Sequence, residues 1–278
     1  MSQNRKMNLA MKYFYATKLG KPTRKVIVHP LVSAAIGAYM DTSMSTRHID
    51  RFVRKNKIDL DEYVSEEYSC FNDFFTRQIK PDSRSIDYTP EVLISPCDGE
   101  MTAFRISSDS EFYIKESYYN VEDLVGGDKV AKEYINGTCL VLRLAVDNYH
   151  RYCYIDDGFK SRNYHIQGRY NPVQPIVVHR HPVFRQNTRE YCILHTKNFG
   201  DVIQIEVGAC LVGKIKNHSE ACVTHRGEEK GMFLFGGSTI VLLFKENTVK
   251  IPESVFNLSV HGMETPIKYG QAIGKKYE

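Results

Sequence analysis

The chain has 278 residues, 42% apolar and 25% charged, with a net charge of +4, an ordinary globular composition that bounds it to one large domain or a domain with an appendage. No apolar run reaches the length of a membrane span, the start lacks a secretory-signal pattern, and seven cysteines without C-x-x-C spacing argue against a disulfide framework or a zinc module; the reading is a reducing compartment. Charge is uneven: residues 1–57 hold twelve Lys/Arg against Asp41 and Asp50, a net +10, which leaves −6 on residues 58–278. A basic helical start on an acidic body suits an anionic membrane surface. It would also suit nucleic acid, and a solvated helical face is the commoner meaning of such a cluster.

Met7–Leu19 has apolar residues near helical spacing and stops at Gly20 and Pro22. His29–Met40 and Thr46–Asn56 read as further helices, and helical patterning continues through Cys70–Arg77. There Phe71, Phe74 and Phe75 share a face for docking, and Asp73 can pair with Arg77 at i,i+4. Pro81–Asp87 is a loop, after which the texture turns to strands. Leu93–Pro96 leads into the turn Cys97-Asp98-Gly99, the acidic Ser117–Tyr134 looks helical, and Thr138–Val146 is a strong strand with Arg151–Ile155 as a candidate partner. Tyr191–Thr196 and Val202–Ile215 follow, the second interrupted by Gly208 and Gly213; Cys222–Thr224 is weak. The sheet region closes with Met232–Phe235 and Ile240–Phe244 around Gly236-Gly237-Ser238-Thr239. The predicted class is α+β, with N-terminal helices packed on a mostly antiparallel β-rich body.

No glycine-rich nucleotide motif, phosphate loop or H-E-x-x-H is present, and His179 and His181 in H-R-H-P make a weak metal candidate, so no metal is expected. Three features carry more chemistry. Ser238 follows a Gly-Gly pair that frees the backbone, and its hydroxyl can reach the Gly237 carbonyl as an N→O acyl shift requires; the plain reading is a hairpin turn of small residues. Asp98 sits in a turn dipeptide where a carboxylate can point inward. His150 lies just past a strong strand, where it can serve as a general base or as an ordinary buried histidine. Together Asp98, His150 and Ser238 could form an acid–base–nucleophile relay.

F-N-D-F-F-T-R at 71–77, S-P-C-D-G at 95–99, Y-H-R at 149–151, N-T-R at 187–189, V-G-A-C-L-V-G at 207–213 and F-G-G-S-T at 235–239 resemble the phosphatidylserine decarboxylase family, in that family's order. The resemblance implies a self-cleaving enzyme cut between Gly237 and Ser238, with a β chain of 1–237 and an α chain of 238–278. Ser238 would become a covalent pyruvoyl group that takes the substrate amine as a Schiff base, with Asp98, His150 and Ser238 forming the relay and His150 available to protonate the α-carbon. It also implies phosphatidylserine as substrate, residues 1–80 as a membrane-associating region before a catalytic domain at 81–278, and a peripheral place at the cytoplasmic face of the cell membrane. No nucleic acid partner is then expected. A strand-rich body of this kind often pairs, so a homodimer is an expectation.

Arg189 as a cation for the head-group phosphate, and Asn187 as a residue shaping the pocket, are readings of these residues beyond the resemblance. One departure stands out: where family members often carry H-R-x-H, this chain has Cys153. Two alternatives stay open on the sequence. One is a related pyruvoyl decarboxylase of a soluble amino acid; the other is an uncleaved module that binds lipid or nucleic acid.

Overall fold

The computed structural model describes residues 30–64, 67–107, 111–114, 117–127, 129–168, 187–208, 214–236 and 238–278. The expected helix Met7–Leu19, the pair His179 and His181, and Gly237 lie outside them. Helices Pro30–Met40, Ile49–Asn56 and Phe71–Phe75 come first. Then follow β1 (Val92–Ile94), β2 (Gly99–Arg105), β3 (Glu111–Ile114), β4 (Ser117–Asn120), a short helix Val121–Leu124, β5 (Thr138–Leu144), β6 (Arg151–Cys153), β7 (Gly158–Lys160) and β8 (Tyr164–Ile166). The second half contributes β9 (Arg189–Thr196), β10 (Gly200–Gly208), β11 (Ile215–Asn217), β12 (Cys222–Thr224), β13 (Glu229–Phe233), β14 (Ser238–Phe244) and β15 (Val249–Lys250). Helix Glu253–Val260, β16 (Thr265–Ile267) and β17 (Ala272–Lys276) complete it.

The runs TCLVLRL and STIVLLF are apolar at almost every position, which a strand tolerates only when both its faces are covered. They become β5 and β14, neighbours in the middle of a nine-stranded antiparallel sheet ordered β12-β7-β9-β10-β14-β5-β2-β16, with β8 also on β9. Leu140, Leu142, Leu144, Ile240, Leu242 and Phe244 face one layer, which includes Tyr152 and Phe233 of a small β11-β13-β6 sheet and Phe256 of the late helix. Val141, Val241, Leu243, Ile203 and Ile205 face the other, against Val121, Leu124 and Tyr134. Each such fully buried Leu, Ile or Phe contributes about 1.5–3 kcal/mol of burial free energy.

A third cluster joins the N-terminal helices to the body. Ile49, Phe71, Phe74 and Phe75 pack with Phe52 and with Phe235, the residue just before the glycine turn. The α+β class stands, with local corrections. Ser117–Tyr134 is not one helix: Ser117–Asn120 pairs with β3, and only Val121–Leu124 and a 3-10 turn at Lys129–Tyr134 coil. Ser43–His48 is 3-10 before the helix Ile49–Asn56. Arg151–Cys153 pairs with β13, not with β5. Asp73 turns back to accept from Ser69 N and Oγ at 2.9 and 3.0 Å, so it caps its own helix and leaves Arg77 to point elsewhere.

Candidate active site

The plain hairpin reading of the glycine turn fails on topology. β13 pairs with β11 and β6, whereas β14 pairs with β10 and β5, so the chain between them crosses from the small sheet to the large one. Gly236, at φ +147°, takes a backbone conformation that favours glycine. Ser238 then enters the centre of the large sheet, opposite Leu144 on one side and Gly208 on the other. It is fully buried, and its Oγ has no hydrogen-bond partner among the described residues.

The strand end at Leu144, the register partner of Ser238, also leads to the other two sequence candidates. Gly99 approaches that strand end so closely that a Cβ on it would lie 2.7 Å from Arg143 O and 3.7 Å from Leu144 Cα, which brings the Asp98-Gly99 turn to the end of β5. Beyond Leu144 the chain turns at once, because Asn148 Oδ1 accepts from Ala145 N at 2.7 Å while Asn148 N donates to Ala145 O at 2.9 Å. That turn delivers His150 to the start of β6, where its carbonyl accepts from Phe233 N at 2.9 Å. Phe233 stands five residues before Ser238, so the base candidate and the serine flank one crossover.

His150 is fully buried, with its ring centroid 4.1 Å from that of Phe75. Its Nδ1 lies 2.9 Å from Asn148 O. A carbonyl only accepts, so the neutral ring carries its proton on Nδ1 and leaves Nε2 as a lone-pair acceptor. Nε2 has no partner among the described residues. Burial, opposed by the Asn148 carbonyl, lowers the His150 pKa from 6.5 to about 3, so the imidazole is neutral at physiological pH. A standing imidazolium is therefore disfavoured in the uncut chain.

Asp98 is buried at this end of the sheet, but its hydrogen bonds go elsewhere. Arg84 donates from Nε and a terminal nitrogen at 3.2 and 2.8 Å, Tyr269 N donates at 2.8 Å, and Lys268 Nζ stands 3.5 Å away. The Asn148 carbonyl takes the place at Nδ1 that the relay expectation gave to Asp98, and Asp98 reaches His150 only through its field, which favours a proton there.

Asn187 Nδ2 donates to Gly208 O at 2.8 Å and so fixes the strand end opposite Ser238. Arg189 corrects an expectation. It is buried, and its guanidinium donates to Leu124 O, Asn187 O and Asp123 O at 2.7, 3.0 and 2.7 Å. An arginine spent on three carbonyls fastens the Val121–Leu124 segment to β9 and does not present itself to a phosphate. Cys153 is buried, and burial pushes its thiol up to about 12, so it behaves as a small neutral side chain.

Two positioning residues escaped the sequence reading, although both lie in the quoted F-N-D-F-F stretch. Asn72 Oδ1 accepts from Phe235 N at 2.9 Å while its Nδ2 donates to Asp41 at 2.7 Å. Phe75 touches both His150 and Phe235, the latter at 5.2 Å between centroids. The helical spacing showed a docking face; what docks on it is the approach to Ser238.

A family model described as phosphatidylserine decarboxylase matches residues 71–275. A phosphatidylserine decarboxylase proenzyme 2 of Clostridium acetobutylicum is 46% identical over 269 residues, spanning 96% of this chain and 92% of that protein. A phosphatidylserine decarboxylase proenzyme of Clostridium botulinum strain Hall is 40% identical over 272 residues, spanning 96% and 92%. One of Clostridium perfringens is 38% identical over 268 residues, spanning 94% and 91%.

Proposed function

The chain belongs to the phosphatidylserine decarboxylase family, and from that premise we propose that it is a proenzyme which cuts itself between Gly237 and Ser238 and then converts phosphatidylserine to phosphatidylethanolamine and CO2. The observation that carries the choice of bond is the buried, unpaired Ser238 Oγ at a crossover between two sheets. In this reading Ser238 Oγ adds to the Gly237 carbonyl carbon while His150 Nε2 takes the hydroxyl proton. The Ser238 nitrogen leaves as an amine, accepting that proton, and an ester replaces the peptide bond. Loss of the Ser238 α-proton with departure of the Gly237 carboxylate leaves dehydroalanine, whose hydrolysis releases ammonia.

The low proton affinity of buried His150 suits a short-lived carrier, since an imidazolium formed there gives its proton up readily. The Asn148 carbonyl sets the tautomer that points a lone pair outward. Asp98 acts as a positioning residue, holding Arg84 and Tyr269 N at the end of β5. Two observations support a pyruvoyl group at position 238: a serine oxygen committed to nothing else, and a neutral base on the flanking turn. When formed, that group would supply an electron sink for the bond to the departing carboxylate.

Among the described residues no helix is long and apolar enough to cross a membrane. We assign the approach to the lipid surface to the basic residues 1–57, within a membrane-associating region 1–80, and place the enzyme peripherally at the cytoplasmic face. Intact mass spectrometry of purified protein tests the core of this reading. The expected result is two fragments, 1–237 and 238–278, the smaller carrying a terminal ketone that borohydride and an amine can trap. An unbroken 278-residue polypeptide overturns it.

A further inference from the structure

Two other buried arginines are better supplied with partners than Arg77. Arg226 gives a terminal nitrogen to Asp156 at 2.8 Å and spends the rest on the carbonyls of Thr89, Pro90 and Val92. Arg189 has its three carbonyls. Arg77 is 2% exposed, and the only hydrogen bonds its guanidinium makes among the described residues are to Phe74 O at 3.3 Å and Tyr63 OH at 3.2 Å. Its Nε has no partner. A guanidinium carries five donors, so most of this one is idle, with no ion pair to a carboxylate among the described residues. Asp98 and Glu62, two carboxylates on this side of the fold, both belong to Arg84.

The plane of Arg77 is fixed by aromatic faces, its central carbon 4.3 Å from the Tyr63 ring centroid and 4.9 Å from that of Phe74. It follows the helix whose Phe75 covers His150, and its charge is close enough to disfavour a second cation on that imidazole. A rigid, partly unsatisfied cation thus stands beside the candidate base.

We propose that Arg77 holds the phosphodiester of the serine phospholipid, as the head-group anchor that Arg189 cannot be; this rests on the decarboxylase reading above. The choice of phosphodiester over carboxylate follows from charge flow. The carboxylate loses its charge as CO2 departs, so a cation on it would stabilise the ground state against reaction. The phosphodiester keeps its charge throughout, and a cation there strengthens binding without opposing the chemistry.

Arg77→Met and Arg77→Lys test it. Both variants still cut themselves into two fragments, which separates this proposal from the reading it rests on. With phosphatidylserine in mixed micelles, Arg77→Met raises KM about ten- to a hundredfold with kcat nearly unchanged, as loss of a charge-assisted hydrogen bond requires, and Arg77→Lys falls between it and wild type. Inhibition by glycerophosphoethanolamine, which has the phosphodiester and no carboxylate, weakens in parallel. Because no carboxylate is left unpaired, Arg77→Met keeps or raises Tm. A cut Arg77→Met enzyme with wild-type KM overturns the proposal. So does a parallel rise of KM and kcat at constant kcat/KM, which would mean that the arginine held the carboxylate. A lowered Tm with unchanged inhibitor binding would mark it as structural and equally overturn it.

Discussion

His150 should make the uncut fold sensitive to mild acid. The unfolded chain binds a proton at this histidine below about 6.5, whereas burial delays binding in the folded chain until about 3. Stability from this group is therefore complete above about pH 6.5 and is lost as pH falls toward 3, because the unfolded state takes up the proton first. At about pH 5 the loss is roughly 2 kcal/mol, growing to roughly 5 kcal/mol below pH 3. The measurement is urea unfolding by far-ultraviolet circular dichroism of Ser238→Ala, which keeps one chain, against Ser238→Ala/His150→Gln, at about pH 7.5 and about pH 5. Other titrating groups are common to both proteins and cancel. The loss between the two pH values should be smaller in the double variant by about 2 kcal/mol. Equal losses in the two proteins would refute the neutral, buried imidazole and with it the assignment of His150 Nε2 as acceptor.

Asp98→Asn should destabilise the fold by about 1–3 kcal/mol, because the buried Arg84 loses its charge-assisted bonds to Asp98 and keeps only Glu62, and Arg84→Met should slow self-cleavage as Asp98→Asn does; normal cutting by Arg84→Met alone would return Asp98 to a direct role. Asn72→Ala strips the acceptor from Phe235 N, so about 1–3 kcal/mol of stability and most of the cleavage rate should go, read by unfolding and by a time course on a denaturing gel. Wild-type cutting in that variant would show that the turn needs no anchor. Sedimentation with anionic vesicles should capture the protein at low salt and release it as the Debye length shrinks; capture indifferent to salt would remove the basic segment from the argument. Ser238→Ala should stay a single 32.0 kDa chain and unfold no more easily than wild-type precursor; a fall in Tm would mean that the hydroxyl has a partner in solution.

The central sheet was legible because β5 and β14 are apolar on both faces, a pattern that a covered interior strand requires. Asp98, His150 and Ser238 were legible as residue types in order, and in the fold Ser238 and the Asp98-Gly99 turn lie beside Leu144 while His150 stands past the next turn, at the start of β6. Their bonding was not legible. Whether His150 Nδ1 meets a carboxylate or the Asn148 carbonyl depends on a tight turn that spacing does not encode, and the fate of Arg189 depends on carbonyls some sixty-five residues away in the chain. The i,i+4 pairing of Asp73 with Arg77 was a sound local expectation. It failed because Asp73 had a closer task at its own helix start and tertiary aromatics drew the arginine inward. Arg151–Ile155 does not pair with Thr138–Val146 for a related reason: proximity in sequence favours a hairpin, but the turn at Ala145–Asn148 redirects the chain, and Arg151–Cys153 joins the second sheet.

Buried polar atoms without partners among the described residues include Ser238 Oγ, Thr239 Oγ1, His150 Nε2 and Arg77 Nε, which gather around one crossover and the helix that covers it. Each such atom costs about 1–3 kcal/mol of desolvation, and elsewhere the same chain satisfies its buried charges fully, as Arg226 and Asp156 do. Asn163 Oδ1, Gln204 Oε1 and Thr265 Oγ1 also lack partners among the described residues, but only at the crossover are the unpartnered atoms those of a nucleophile, a base and a cation, the combination a reactive site requires. A serine oxygen tied to a strong partner would be a poor nucleophile, a histidine with both nitrogens bonded could not take a proton, and an arginine closed by a carboxylate could not receive an anion. A sequence selected for stability alone would carry alanine at 238 and methionine at 77. Those substitutions should be harmless to the fold and damaging to cleavage and to substrate binding respectively, and that opposition of effects is hard to obtain from residues that serve only to pack.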